Sequence, residues 1–335
     1  LEVGEPDFET PAPITRAGIE ALSAHRTRYL QATGLPALRE RIADHYPAAC
    51  RPPVARVAVT PGSSAALQLV FACLLDPDDE VLISDPGYPC NANFVRLYGG
   101  IPRAIPCPPQ ARYQLTAASI REHWSEATRA VLIGSPSNPA GAIVTSDEMH
   151  RIATTVRELG GTLVVDEIYH GLTYGDSVRS ALHDGDDLFV VNGFSKYYGM
   201  TGWRLGWLVS PEAYIDDIAR LSQNLFISAS SPAQYAALKA FDTETLDELE
   251  HRREVFQRRR DSFVPALREL GFEIPVMPQG AFYVYADCSR FTDDSDVFAM
   301  QLLREALVAV APGKDFGQYR QHQHIRFSYA NSQDN

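Results

Sequence analysis

No stretch of this 335-residue chain reaches the roughly 18 consecutive apolar residues of a membrane helix, because charged and Pro/Gly-rich segments interrupt every candidate. No CxxC pair occurs among the five dispersed cysteines, Cys50, Cys73, Cys90, Cys107 and Cys288. That argues against a disulfide framework or a zinc site and fits a reducing cytosol, so a cytoplasmic location is expected. Positive charge is in deficit: 30 Lys and Arg against 42 Asp and Glu give a formal net charge of -12. Nucleic-acid backbones are bound through Lys and Arg, so neither a nucleic-acid nor a membrane partner is expected. An anionic ligand must be held by a few local donors. Internal repeats and low-complexity tracts are missing, as is the basic–apolar–cleavage pattern of a signal peptide. The chain opens at Leu1 rather than Met, which leaves room for a leader or further module. There is no Gly-x-Gly-x-x-Gly fingerprint and no Walker Lys-Ser/Thr.

What is there suits two domains and a substantial core: 45% of residues are hydrophobic and 21% charged. Buried-strand patterns fall at 56–60, 80–84, 101–105, 130–134, 162–166, 188–192 and 205–209. Amphipathic stretches such as 65–75, 146–159 and 211–223 lie between them. This alternation predicts an α/β fold with a mostly parallel sheet covered on both faces. The last two strands are joined by a short Gly-rich segment, so one of them can break the parallel pattern. After about Ser230 the texture changes to a helical stretch over 232–270, a strand at 280–286, a helix at 295–308 and a strand at 324–329. We expect a large domain over 30–235 and a smaller α+β domain built from 1–29 and 236–335.

In open α/β sheets ligands bind beyond the carboxyl ends of the strands, and the suspicious residues sit at such ends. Lys196 lies in a Gly- and aromatic-rich loop after a buried strand, beside Ser195. Desolvation there would lower its pKa and make its amine a competent Schiff-base nucleophile, although an isolated lysine is usually a solvated surface group. Arg204, eight residues on, can make a bidentate phosphate contact or an ordinary salt bridge. Asp166 ends another strand; it can keep a pyridine nitrogen protonated, or merely cap a helix. Asn138, in Ser135-Pro136-Ser137-Asn138-Pro139, and Tyr169 can both reach a phenolic oxygen. Gly62, Ser63 and Ser64 open a helix whose backbone N–H groups can meet an anion, or they simply cap it. Tyr88 can stack on a flat ring. Arg326, within a short apolar strand, needs an anionic partner, for which a substrate carboxylate is suited. His322 and His324 lack convergent acids, so we read them as a solvated rim and expect no metal site.

Taken together, Ser137-Asn138-Pro139-Ala140-Gly141, Asp166-Glu167-Ile168-Tyr169 and Ser195-Lys196 through Thr201-Gly202-Trp203-Arg204-Leu205-Gly206 resemble the fold-type-I pyridoxal-phosphate enzymes. Specifically they resemble the class I/II aminotransferase family, from Gly4-Glu5-Pro6-Asp7-Phe8 almost to the last residue. The resemblance implies pyridoxal 5′-phosphate held as a Schiff base on Lys196, which then moves the proton at the substrate Cα. It implies Asp166 on the ring nitrogen, Asn138 and Tyr169 on the ring oxygen, and Tyr88 stacked on the ring. Gly62, Ser63, Ser64, Ser195 and Arg204 would hold the phosphate. Arg326 would hold the α-carboxylate, with Asn138 nearby and Gly4 in a segment folded over the substrate. Tyr29 matches a tyrosine that reaches the phosphate of a neighbouring subunit, which implies a homodimer. The implied reaction passes an amino group from an amino acid to a 2-oxo acid in ping-pong fashion. A β-eliminating carbon–sulfur lyase or a cyclopropane-forming synthase would use the same residues. An aminotransferase-like regulator would need a DNA-binding helix-turn-helix, and none is visible. The chain departs from the family pattern at Gly193, where many relatives have a phosphate-binding serine, and at Asn91, often tyrosine. Both ends look short, lacking a longer N-terminal arm and a closing C-terminal helix. Phe8, Tyr88, Phe282 and Tyr283 hint at an apolar or aromatic side-chain pocket.

Overall fold

Short runs of β-branched residues become the seven strands of the larger sheet, in a computed structural model that describes residues 1–175 and 178–332. They are β1 (Val57–Thr60), β2 (Glu80–Asp85), β3 (Ile101–Pro106), β4 (Thr128–Gly134), β5 (Thr162–Asp166), β6 (Phe189–Gly193) and β7 (Gly206–Val209). Their spatial order is β1-β7-β6-β5-β4-β2-β3. β2 through β6 pair in parallel, whereas β7 runs antiparallel to both β6 and β1. The link between β6 and β7, residues 194–205, contains no helix, the usual crossover of a parallel return, and β7 comes back antiparallel.

Alternate residues of every strand except the edge strand β3 feed two cores. Val131, Ile133, Leu163 and Val165 face one core, with Ile152 and Val156 of the helix Ser146–Glu158. Ala130, Leu132 and Val164 face the other, with Val70 and Phe71 of the helix Ser63–Leu74. Both faces of the sheet are therefore covered, as a parallel sheet requires.

A smaller antiparallel sheet, ordered β8-β10-β9, follows from β8 (Tyr283–Asp287), β9 (Ala311–Pro312) and β10 (His324–Ser328). A third core gathers there around Phe256, Phe282, Val284 and Phe327. The helix Ala12–Ser23 lies against the larger unit, with Ile14 in the first core.

Two predicted helices differ in extent. The stretch 232–270 is broken: Ser231–Ala237 passes through a 3₁₀ turn to Asp242, which is extended (φ -76°, ψ 146°), before the helix Thr243–Leu270. Phe241 at the break is drawn into an aromatic group with Phe194, Tyr198 and His45, and Asp242 pairs with Arg41 at 2.7 Å. The expected helix 295–308 is α-helical only over Ser295–Gln301, then widens into a π-turn over Leu302–Ala306. Among the described residues no helix is long and apolar enough to cross a membrane.

Candidate active site

Five strand ends of the larger sheet open into one cavity of about 400 Å³. β1 delivers Ser63 and Ser64, β2 delivers Tyr88, β4 delivers Asn138, β5 delivers Asp166 and Tyr169, and β6 delivers Ser195 and Lys196. The smaller sheet closes the far side with Tyr283 from β8 and Arg326 from β10; Arg204 and Gly4 complete the wall. Every site residue predicted from the sequence lines this cavity except Gly62 and Tyr29.

Gly62 backs the wall rather than lining it. Its φ of +83° is left-handed, and a Cβ there would stand 2.7 Å from Arg204 Nη2. Only glycine lets the guanidinium lie against the first turn of the helix Ser63–Leu74. Tyr29 lies outside the cavity and is 77% exposed.

Lys196 is one of three lysines in the chain, with Lys239 and Lys314. The other two are about half exposed and pair with Asp242 and Asp296. Burial brings the Lys196 ammonium down to about 8; Glu5 resists the shift, while Arg204 and Arg326 reinforce it. Its Nζ donates to the Gly4 carbonyl at 2.7 Å.

The Asp166 carboxyl lies at the buried end of β5. Burial pushes it up to about 7, opposed by a hydrogen bond from the Ile168 N–H (3.1 Å) and by the charge of Lys196. A buried carboxyl held this high gains from any cation set against it. Next to it, Glu167 turns away from the cavity and accepts from Ala181 N–H (2.7 Å) and Ser180 Oγ (3.1 Å), which fixes the strand end. Burial raises this carboxyl to about 8.

Tyr169 and Tyr283 form a buried pair of hydroxyls 3.0 Å apart. Burial raises both phenols, so both keep their protons. One of them therefore donates to the other, and the second O–H is left to donate elsewhere. Arg326 lies with its guanidinium carbon 4.3 Å from the centre of the Tyr283 ring. Its Nη1 donates to Asn138 Oδ1 at 3.0 Å and its Nη2 to the Glu2 carbonyl at 2.6 Å, while the buried Nε has no partner among the described residues. With Oδ1 taken, Asn138 is left its Nδ2 to donate. The first residues run along β10, where Leu1 O accepts from Ser328 N–H at 2.7 Å, and so cover the cavity. Among the described residues neither Arg204 nor Arg326 pairs with a carboxylate.

Some expectations need correction. His324 is not on a solvated rim: it is buried, stacked on Tyr285 (4.6 Å, 12°), with Nε2 3.2 Å from the Tyr113 hydroxyl. His324 opens β10, which is buried along its whole length, whereas His322, just before it, is exposed as expected. Phe8 and Phe282 belong to the smaller unit's packing, with Phe8 edge-on to Phe256 at 5.4 Å, so of the four aromatics only Tyr88 and Tyr283 line the cavity. Sequence reasoning missed Ser84, Phe94 and Thr201 as lining residues. Thr201 follows the lysine loop closely enough to have been suspected; the other two carry no sequence signal.

These residues suit a flat, anionic, cationic-ring coenzyme on observations made on the protein alone. Two guanidinium groups without carboxylates and a helix N-terminus face a cavity that also holds a buried carboxyl, a half-exposed tyrosine face and a desolvated amine.

A family model described as aminotransferase class I and II matches residues 1–335. The chain is 39% identical over 340 residues to a (5-formylfuran-3-yl)methyl phosphate transaminase of Methanocaldococcus jannaschii, covering 100% of this chain and 87% of that one. It is 37% identical over 334 residues to a valine–pyruvate aminotransferase of Mycobacterium tuberculosis, covering 98% and 86% respectively. Among solved structures, an aminotransferase from Mycobacterium tuberculosis superposes with a TM-score of 0.95 at 36% identity, over 98% of this chain and 86% of that one.

Proposed function

The chain belongs to the class I and II aminotransferases, enzymes that use pyridoxal phosphate, and we propose that the cavity around Lys196 is where it transfers the amino group. Its reaction is transamination between an amino acid and a 2-oxo acid. The observation that carries the site is the meeting, in one cavity, of the only lysine held near pKa 8 by burial with a buried carboxyl raised to about 7.

The bound coenzyme supplies an electron-accepting ring that stabilises negative charge at the substrate Cα. Asp166 would set its carboxylate against the ring nitrogen and keep it protonated. Tyr169 and the Nδ2 of Asn138 would donate to the ring oxygen, and Tyr88 would stack on the ring. The N–H groups of Ser63 and Ser64, the Ser195 hydroxyl and Arg204 would hold the phosphate, with Gly62 making room for the guanidinium. Arg326 clamps the α-carboxylate in place of the Glu2 carbonyl, which orients the Cα proton toward Lys196. The Lys196 amine, partly neutral near pH 8, takes that proton and returns it as general acid. The segment carrying Gly4 forms part of the cavity wall and would help exclude water from it.

We further propose that the two units are 30–235 and 1–29 with 236–335, with shared packing: Ile14, Ala237, Ala240 and Leu249 join the larger sheet's core, and Ile168, Tyr169 and Leu172 join that of the smaller unit. The exposed Tyr29 is read as reaching the phosphate of a second copy, so that a homodimer is the active form. Five free cysteines support a reducing, cytoplasmic setting. Substrate identity differs between the relatives, and the shared requirement is the α-carboxylate that Arg326 reads.

The test is a titration of coenzyme-loaded protein with a panel of amino acids. One of them should convert the coenzyme to its amine form and release one 2-oxo acid per site, with recovery on adding a 2-oxo acid. Release of ammonia and pyruvate with the coenzyme unchanged would instead support an eliminating lyase.

A further inference from the structure

At the end of β2 the buried Asp85 reaches across to the smaller unit. Its two carboxylate oxygens accept from the Gln318 N–H (3.1 and 3.0 Å) and the Tyr319 N–H (3.1 and 3.1 Å). Two residues on, the Gly87 N–H donates to the Phe316 carbonyl at 2.8 Å. The fit is close enough that a Cβ on Gly317 would overlap Asp85 Oδ1. The segment so held carries Phe316, which is 5% exposed and lies with its ring centre 4.8 Å from the guanidinium carbon of Arg326. Tyr283 supplies the second ring against that guanidinium, at 4.3 Å. The Nε of Arg326 is buried without a partner among the described residues, and along that edge packing fixes the group.

We propose that Asp85 is a positioning residue for Arg326: it fastens the segment 313–319 to the larger unit, and Phe316 then sets the guanidinium for the substrate carboxylate. The inference rests on the reading of Arg326 as that clamp. The chemistry of the contact explains the choice of residue. A carboxylate offers acceptors alone, and charge-assisted bonds to main-chain N–H groups are the stronger kind. An asparagine must turn its NH₂ toward one of the two N–H donors, setting donor against donor. When the segment is released, the fraction of molecules with Arg326 correctly placed falls, and apparent affinity falls with it.

The experiment uses coenzyme-loaded protein and pyruvate, a carboxylate that carries no amine, with binding to the pyridoxal form followed by calorimetry. Asp85→Asn should weaken pyruvate about tenfold, the loss of one charge-assisted hydrogen bond. It should raise KM for the amino acid by a similar factor, hold kcat within about threefold and leave coenzyme affinity in place. Phe316→Leu, which keeps the Asp85 contact but removes the ring, should weaken pyruvate a few-fold and serves if the first variant folds poorly. Pyruvate affinity unchanged in either folded variant, or a matching fall in coenzyme affinity, would overturn the proposal. Arg326→Gln is the control for the reading beneath it: if that variant binds pyruvate as the parent does, the clamp itself is misassigned.

Discussion

Replacing Asp166 by asparagine should stabilise the coenzyme-free protein at neutral pH while disabling the enzyme. Burial lifts this carboxyl from its ordinary 3.8 to about 7. The folded chain therefore holds the proton more tightly than the unfolded chain, and wherever the unfolded state binds fewer protons stability falls with rising pH. The penalty begins near pH 4, grows through the interval and levels off above about pH 7. Three units at about 1.36 kcal/mol each give roughly 4 kcal/mol at full development, about 2–3 kcal/mol of which accrues between pH 5 and 8. Asparagine, nearly the same shape, has no such titration. Denaturant unfolding of the coenzyme-free parent and Asp166→Asn at pH 5, 6, 7 and 8 measures the gap directly. The asparagine variant should gain on the parent by about 2–3 kcal/mol across that range. A gap that stays flat, or one that widens toward acid, would refute the reasoning. A protonated ring nitrogen set against Asp166 would favour its ionised form and offset that penalty on binding.

Tyr169→Phe should raise the pH midpoint of the coenzyme's visible absorbance by about one unit, because one hydrogen bond to an anionic oxygen is lost; an unchanged midpoint in a spectrophotometric titration would remove Tyr169 from the role. Tyr29→Phe should weaken coenzyme binding about tenfold in a dimer, by equilibrium dialysis. The parent's own affinity should fall when it is diluted to monomer, and independence of protein concentration would count against a shared site.

Much of the larger sheet could be read in advance because each strand is a short β-branched run stopped by a polar or glycine residue, as Thr162–Asp166 is by its terminal acid. Lys196 stood out for a related reason: an amine among glycines and aromatics has no solubility role. Tyr283 was only a hint, since β8 is buried along its whole length and lacks the alternation that marks a cavity-facing side. Asp85 was silent because its partners are main-chain N–H groups 233 and 234 residues away, which no local pattern encodes. The break at Asp242 escaped notice because helix propensity continues through it; tertiary packing of Phe241 overrides that propensity. Tyr29 is exposed and lines no part of the cavity, and the role proposed for it needs a second copy.

The central claim is that one particular amine captures the coenzyme. Borohydride reduction of the coenzyme-loaded protein, followed by proteolysis and mass spectrometry, tests it most directly, because Lys196, Lys239 and Lys314 are the only lysines that can carry the adduct. The added mass should fall on the peptide containing Lys196 and on no other. Its appearance on Lys239 or Lys314, or its absence from a protein that still binds the coenzyme, would contradict the account.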